Sequence, residues 1–347
     1  MKLLRVFVLL VSAILLAAAC TTAPEPVGFQ PEILPLPADP SDYAPIASYA
    51  AMEIPADNPM TPEKVALGRQ LFFDQRLSGD GVLACYSCHQ NDLGLSDGRP
   101  TAVGAFDRPL TRNSPTLWNI GYHPEYYWDG RSKPLASQAL AAWRGGNMGA
   151  DLEESVTQLN GIEGYQNQFQ AVFNEDATSE NVSQALAAYM RTIISIDTPW
   201  DRWQAGDESA VSDAAKRGHE IFERIECNNC HDGVLFTDFQ YHNVGIGMEA
   251  EDPDLGRHRV TEEDSDRGAF KTPTLRDISQ SAPYFHNGSV ATLEEAVDLM
   301  LGGGQENPNL DRENLKAADL SDAEKEDLLE FLRSLDEPVQ LSEPPLP

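Results

Sequence analysis

The chain of 347 residues carries 55 acidic against 25 basic side chains, a formal charge of −30, with 41% hydrophobic and 23% charged residues. That balance supplies core for one large or two medium globular domains and excludes disorder as the default state. It also excludes nucleic acid as the expected partner and would steer a basic protein to this surface, although solubility or adaptation to salt explains the charge equally well.

Residues 1–19, MKLLRVFVLLVSAILLAAA, set Lys2 and Arg5 ahead of an apolar run that ends in small residues, the pattern of an export signal. Cys20 follows at once. LLAAAC resembles the lipobox of bacterial lipoproteins, in which that cysteine becomes the acylated N-terminus; an ordinary cleavage site beside a free thiol is the alternative. Both readings export the protein, and the first gives a periplasmic chain held to the membrane by lipid. Residues 20–60 are rich in proline and lack helical periodicity, so they read as a tether.

Order is expected from Thr61, an N-cap followed by Pro62 and an apolar face through Val65, Leu71 and Phe72. Helical patterns also cover 151–173, 179–195 and 291–301. Near the end, LSDAEKEDLLEFLRSL opens with a Ser321/Glu324 capping box and places Leu328, Phe331, Leu332 and Leu335 on one stripe. No stretch alternates well enough for a large sheet, so the fold class is mainly α, with few or no strands.

The body reads as an internal duplication. Gly68-Arg-Gln-Leu71-Phe72 matches Gly218-His-Glu-Ile221-Phe222, SPTLWNI (114–120) matches TPTLRDI (272–278), and YYWDGRSKPLASQA (126–139) matches YFHNGSVATLEEAV (284–297). Boundaries follow at 61–205 for the first half and 206–340 for the second.

Each half contains CxxCH: Cys85, Cys88 and His89, then Cys227, Cys230 and His231. Two thiols three residues apart on a helical turn reach one porphyrin edge, and the adjacent histidine reaches the iron, so the motif points to covalently bound haem c. Structural zinc and redox dithiols are the alternatives, but neither calls for that histidine twice in an exported chain. His89 and His231 are then proximal ligands. Twelve residues beyond Gly288 lies Met300, a thioether suited to the other side of the second iron, whereas twelve beyond Gly130 lies Ala142. Met148, His123 and Met248 are lesser ligand candidates.

From about 61 to 335 the chain resembles the bacterial di-haem cytochrome c peroxidase and MauG superfamily, through LGRQLFFDQRLSGDGVLACYSCH, RNSPTLWN, YYWDGR, CNNCHDG, KTPTLRDISQSAPYFHNG and the Met300 helix. The resemblance implies two cytochrome c-like domains, a peroxidatic first haem, an electron-accepting second haem and a calcium ion between them. It makes Trp128 an electron relay, a role a packing tryptophan could share, and places Asn113, Ser281 and Pro283 at the calcium, the last two through backbone oxygens. His242 and His286 are expected to bond haem propionates or backbone, and His219 and His258 to lie at the surface.

Three departures matter. Family peroxidases close the first haem with a histidine where this chain has Ala105, so that haem is expected to stay open, as in MauG. MauG has tyrosine where this chain has Met300. The family's distal glutamate is replaced by Asn147, beside Gln138 as the other distal residue, and an amide cannot shuttle a proton, so slow turnover is expected unless Asp151, Glu153 or water substitutes.

The expected activity is hydrogen peroxide reduction at the first haem, with electrons from a small donor, a basic c-type cytochrome or a cupredoxin, entering through the second. The alternatives are MauG-like oxidation of a partner protein, and electron transfer or sensing without catalysis. The oligomeric state stays open, a homodimer among the choices.

Overall fold

A computed structural model of the protein describes residues 52–195, 197–336 and 340–347. The export signal, Cys20 and most of the tether lie outside these residues. Among those described, no helix is long and apolar enough to cross a membrane.

The first half contains α1 (Pro62–Phe73), the two-residue strands β1 (Val103–Gly104) and β2 (Arg108–Pro109), α2 (Leu135–Arg144), α3 (Leu152–Asn160), α4 (Glu163–Phe173) and α5 (Ser179–Met190). Then follow α6 (Pro199–Gln204), α7 (Asp213–Arg224), β3 (Tyr241–His242), the single turn α8 (His258–Thr261), β4 (Phe270–Lys271), α9 (Leu293–Leu301) and α10 (Asp322–Arg333). Each strand pair is antiparallel, so sheet is a minor feature of a helical molecule. Thr61 and Ser321 cap α1 and α10 as their sequences predict. The single helix expected over 151–173 is two, because the chain turns at Gly161 and Ile162 starts the next. The helix expected to reach 195 ends at Met190; beyond it the Ile193 carbonyl is drawn across to accept from the Asn119 N–H at 2.9 Å.

The repeated glycines explain how the halves are built. A Cβ on Gly68 of α1 would overlap the carbonyl oxygen of Ala185 on α5, and one on Gly218 of α7 would overlap that of Asp327 on α10. The first and last helices of each half therefore cross backbone to backbone, at equivalent positions. Loop conformations repeat too: Asn119 and Asp277 both have φ 58°, and Tyr127 and Phe285 both have φ 68°. Replacing Gly68 or Gly218 by alanine should cost about 1–3 kcal/mol through overpacking, outweighing alanine's better helix propensity. Denaturant midpoints of the loaded variants check this, and an unchanged midpoint would contradict the crossing.

Each half closes on its own core. The first gathers Leu67, Leu71, Phe72, Leu135, Trp143, Tyr165, Phe169, Leu186 and Ile193; the second gathers Ile221, Phe222, Phe236, Leu328, Phe331 and Leu335 together with Trp200 of α6, which precedes the boundary expected at 206 but packs with the second half. His219, expected at the surface, is half-buried, its ring 4.6 Å from that of Trp200 and 5.0 Å from that of Phe331 and its Nδ1 3.9 Å from the exposed Glu223 carboxylate. His258 is partly exposed, bonded to the Glu263 carbonyl at 2.8 Å.

Helix α1 is buried all round, including Lys64, Arg69 and Gln70, rather than on one stripe. The C-terminal segment lies along its outer side: Arg69 Nε donates to the Ser342 carbonyl at 3.0 Å and Gln70 Nε2 to that of Pro345 at 3.3 Å. Asn58, ahead of the expected helix, is also buried, donating to the Gln184 carbonyl at 3.0 Å.

Candidate functional site

Both CxxCH segments form a single tight helical turn, Cys227–Asn229 directly after α7 and Cys85–Ser87 after the loop that follows α1. Burial pushes the Cys85 and Cys227 thiols up to about 12 and that of Cys88 up to about 11. Thiols held protonated are poor redox nucleophiles, which argues against a reactive dithiol at Cys85 and Cys88. Half-buried cysteines aligned beside a histidine fit thioether attachment.

The histidines are prepared as ligands. His89 Nδ1 lies 2.9 Å from the Leu95 carbonyl, and His231 Nδ1 lies 2.9 Å from that of Phe236. A carbonyl only accepts, so Nδ1 must carry the proton and Nε2 keeps its lone pair, as in histidine–metal sites. Burial holds His89 neutral, down to about 4, and lowers His231 as well.

The two sites differ opposite these ligands. His231 borders a largely apolar cavity of about 280 Å³ with Cys227, Cys230, Tyr284 and Met300. His89 borders a smaller one, about 60 Å³, with Gln138, Ala142, Trp143, Met148 and Met190. Ala142 and Met300 occupy matching places near the ends of α2 and α9.

Gln138 thus reaches the first cavity, and is hydrogen-bonded to Tyr127. Asn147 does not: its side chain is exposed, and its carbonyl accepts from the Ala105 N–H at 3.0 Å. The neighbouring Met148 is 7% exposed and borders the cavity instead. The one-residue difference arises because the backbone turns at Gly145 and Gly149, where Gly149 has φ 61°. Ala105 is buried behind this turn, Asp151 caps α3, and Glu153 is exposed. Met248 borders neither cavity.

Trp128 borders the larger cavity and is only partly covered; its Nε1 donates to the Asn113 carbonyl at 2.9 Å, and its own carbonyl accepts from Lys271 N at 2.8 Å. It therefore stands where the halves meet. Asn113, Ser281 and Pro283 line the same cavity, with Asn113 N donating to the His286 carbonyl at 2.7 Å and Asn113 Nδ2 to that of Arg99 at 2.8 Å. His286 is buried and stacked on Phe270 at 3.6 Å, its pKa lowered by burial to about 4. His242 bonds carboxylates rather than backbone, Asp311 at 2.6 Å and Asp238 at 3.0 Å. Asp238 foremost, with Cys230 and Asp311, pushes it up to about 11.

Residues 62–209 match the family model for di-haem cytochrome c peroxidase. The methylamine utilization protein MauG of Methylorubrum extorquens is 40% identical over 302 residues, 84% of each chain. Cytochrome-c peroxidase IdrP1 of Denitromonas iodatirespirans is 37% identical over 96% of this chain and 95% of that one. Among solved structures, a MauG-like protein associated with microbial copper homeostasis superposes with a TM-score of 0.76 at 31% identity, covering 89% of this chain and 95% of that one. Paired ligand-ready histidines, two thiol pairs and these similarities lead to one statement: the chain belongs to the di-haem cytochrome c peroxidase family, whose members hold two haem groups.

Proposed function

We propose that the protein reduces hydrogen peroxide at the His89 site with electrons received through the His231 site. The observation that carries this is the unlike pair of residues at matching helix positions, Met300 on α9 against Ala142 on α2. Haem c, attached through Cys85/Cys88 and Cys227/Cys230, would supply redox-active iron, with an open position where protein offers no ligand. Met300 would complete the second site and favour a raised potential. Gln138 supplies an amide that orients small polar molecules in the first cavity, and the apolar Leu117, Trp143 and Met190 exclude bulk water. Trp128, bonded to both halves through Asn113 and Lys271, is the fitting relay between them.

The acidic surface suits a small basic c-type cytochrome or a cupredoxin as donor. Calcium would bind where Asn113, its Nδ2 committed to the Arg99 carbonyl, can offer Oδ1, with backbone oxygens from Ser281 and Pro283. The sequence of residues 1–20 supports export to the periplasm and attachment through a lipid on Cys20.

Steady-state peroxide consumption with a reduced basic cytochrome tests this function, and no consumption above that of free haem would overturn it. Substituting Met300→Leu should convert the second haem from low to high spin in electron paramagnetic resonance; an unaltered low-spin signal would remove Met300 as the ligand.

A second reading is favoured by the 40% identity to MauG: withdrawal of electrons from side chains of a partner protein. It is distinguished by whether peroxide turnover needs the reduced small donor.

A further inference from the structure

His123 holds a polar atom that the described residues leave unsatisfied. The residue is 9% exposed, its ring meets Phe239 edge-on at 5.0 Å, and it borders the cavity shared with His231 and Met300. Lys271 Nζ lies 3.2 Å from His123 Nδ1 and donates to the Glu125 carbonyl at 2.7 Å. An ammonium has three donors and no acceptor, so Nδ1 must accept and the ring proton sits on Nε2. Burial lowers Lys271 only to about 8, which leaves it charged near neutral pH, and burial together with Lys271 keeps the imidazole from taking a second proton. The buried Nε2 has no hydrogen-bond partner among the described residues. A buried N–H without an acceptor is costly, so the native protein is expected to supply one from the cavity.

We propose that His123 Nε2–H donates to a carboxylate of the haem held in this cavity, a propionate, and so acts as a positioning residue for the second site. The inference rests on the cavity being a haem site, as read above. Among the described residues no carboxylate is bonded there, and the propionates are the anionic groups that haem would bring. Lys271 fixes the tautomer, and its backbone N–H to the Trp128 carbonyl ties the arrangement to the contact between the halves.

The test uses the doubly loaded protein and two variants. His123→Phe keeps a ring against Phe239 and removes the donor, whereas His123→Gln returns an N–H at similar reach. Haem content by pyridine haemochromogen is measured first; a parent chain without covalent haem sinks the reading of the site, not merely this inference. With two haems present, His123→Phe is expected to lower the midpoint potential of the second haem and its propionate bending frequency in resonance Raman, and His123→Gln to restore both. A donor withdraws charge from the carboxylate and thereby disfavours the oxidised iron, which fixes the sign. No shift in the phenylalanine variant, or an equal shift in both variants, overturns the proposal; the former would leave water as the acceptor. Should neither variant load, nitrogen-15 resonances of the parent's reduced form decide: an Nε2–H tautomer at His123 supports the assignment and an Nδ1–H tautomer refutes it.

Discussion

Glutamate in place of Met148 is expected to raise peroxide turnover about 10²-fold, the lower end of what a positioned acid–base group contributes, while glutamate at Asn147 leaves it within a few-fold. The two introduced glutamates would differ in direction, not in chemistry. Met148 is buried against the cavity of His89 and Gln138, whereas Asn147 points to solvent and gives only its backbone to Ala105. Carboxyl oxygens at 148 would be desolvated, which raises their pKa toward the range where a group both takes and returns a proton near neutral pH. Steady-state kcat and KM for peroxide with a reduced cytochrome measure the effect. Equal rates for the two variants would mean that the turn at Gly145–Gly149 is not as described. Because Met148 is also a thioether lining the cavity of His89, low-temperature electron paramagnetic resonance of the parent checks the open position: a low-spin signal lost in Met148→Glu would make Met148 a ligand of the first haem and overturn that position.

Arg276→Met should destabilise the second half by about 3–5 kcal/mol, the range for breaking a buried ion pair on one side. Arg276 is 1% exposed and forks onto both carboxylate oxygens of Asp201 at 2.7 and 2.8 Å, while its Nε reaches the Val234 carbonyl at 2.7 Å. Asp201 also receives Thr198 N at 3.0 Å and Thr198 Oγ1 at 2.8 Å, so the arrangement joins α6 to the segments on either side of the second haem cavity. Burial alone would push Asp201 up, but Arg276 and Thr198 outweigh it and hold the carboxyl low. A depressed folded pKa gives stability that is present above the unfolded value of about 3.9 and lost as pH falls through the folded one. Equilibrium denaturation of the loaded protein, followed at the second haem, checks the magnitude. A loss under about 1 kcal/mol would show that water replaces the guanidinium. At the matching place in the first half stands Trp118, also buried, so the repeats solved one packing position with different chemistry.

By itself, the sequence determined the helical class, the internal repeat and the two CxxCH turns, because these are local. CxxCH puts thiols and histidine on one turn regardless of surroundings, and Thr61 and Ser321 cap their helices through their own side chains. Even Gly68 and Gly218 were visible as repeated letters. Their purpose was not, since it is set by the carbonyls of Ala185 and Asp327, more than 100 residues away. Tertiary structure alone decided which neighbour of the 147–148 pair faces the first cavity, because a glycine turn rotates the backbone by an amount that no residue pattern encodes. It also decided that α1 is covered by residues 342–347, that His219 packs among aromatic rings, and that Lys271 meets His123. Those contacts join distant segments, and their energies depend on burial and direction that exist only once the halves have closed.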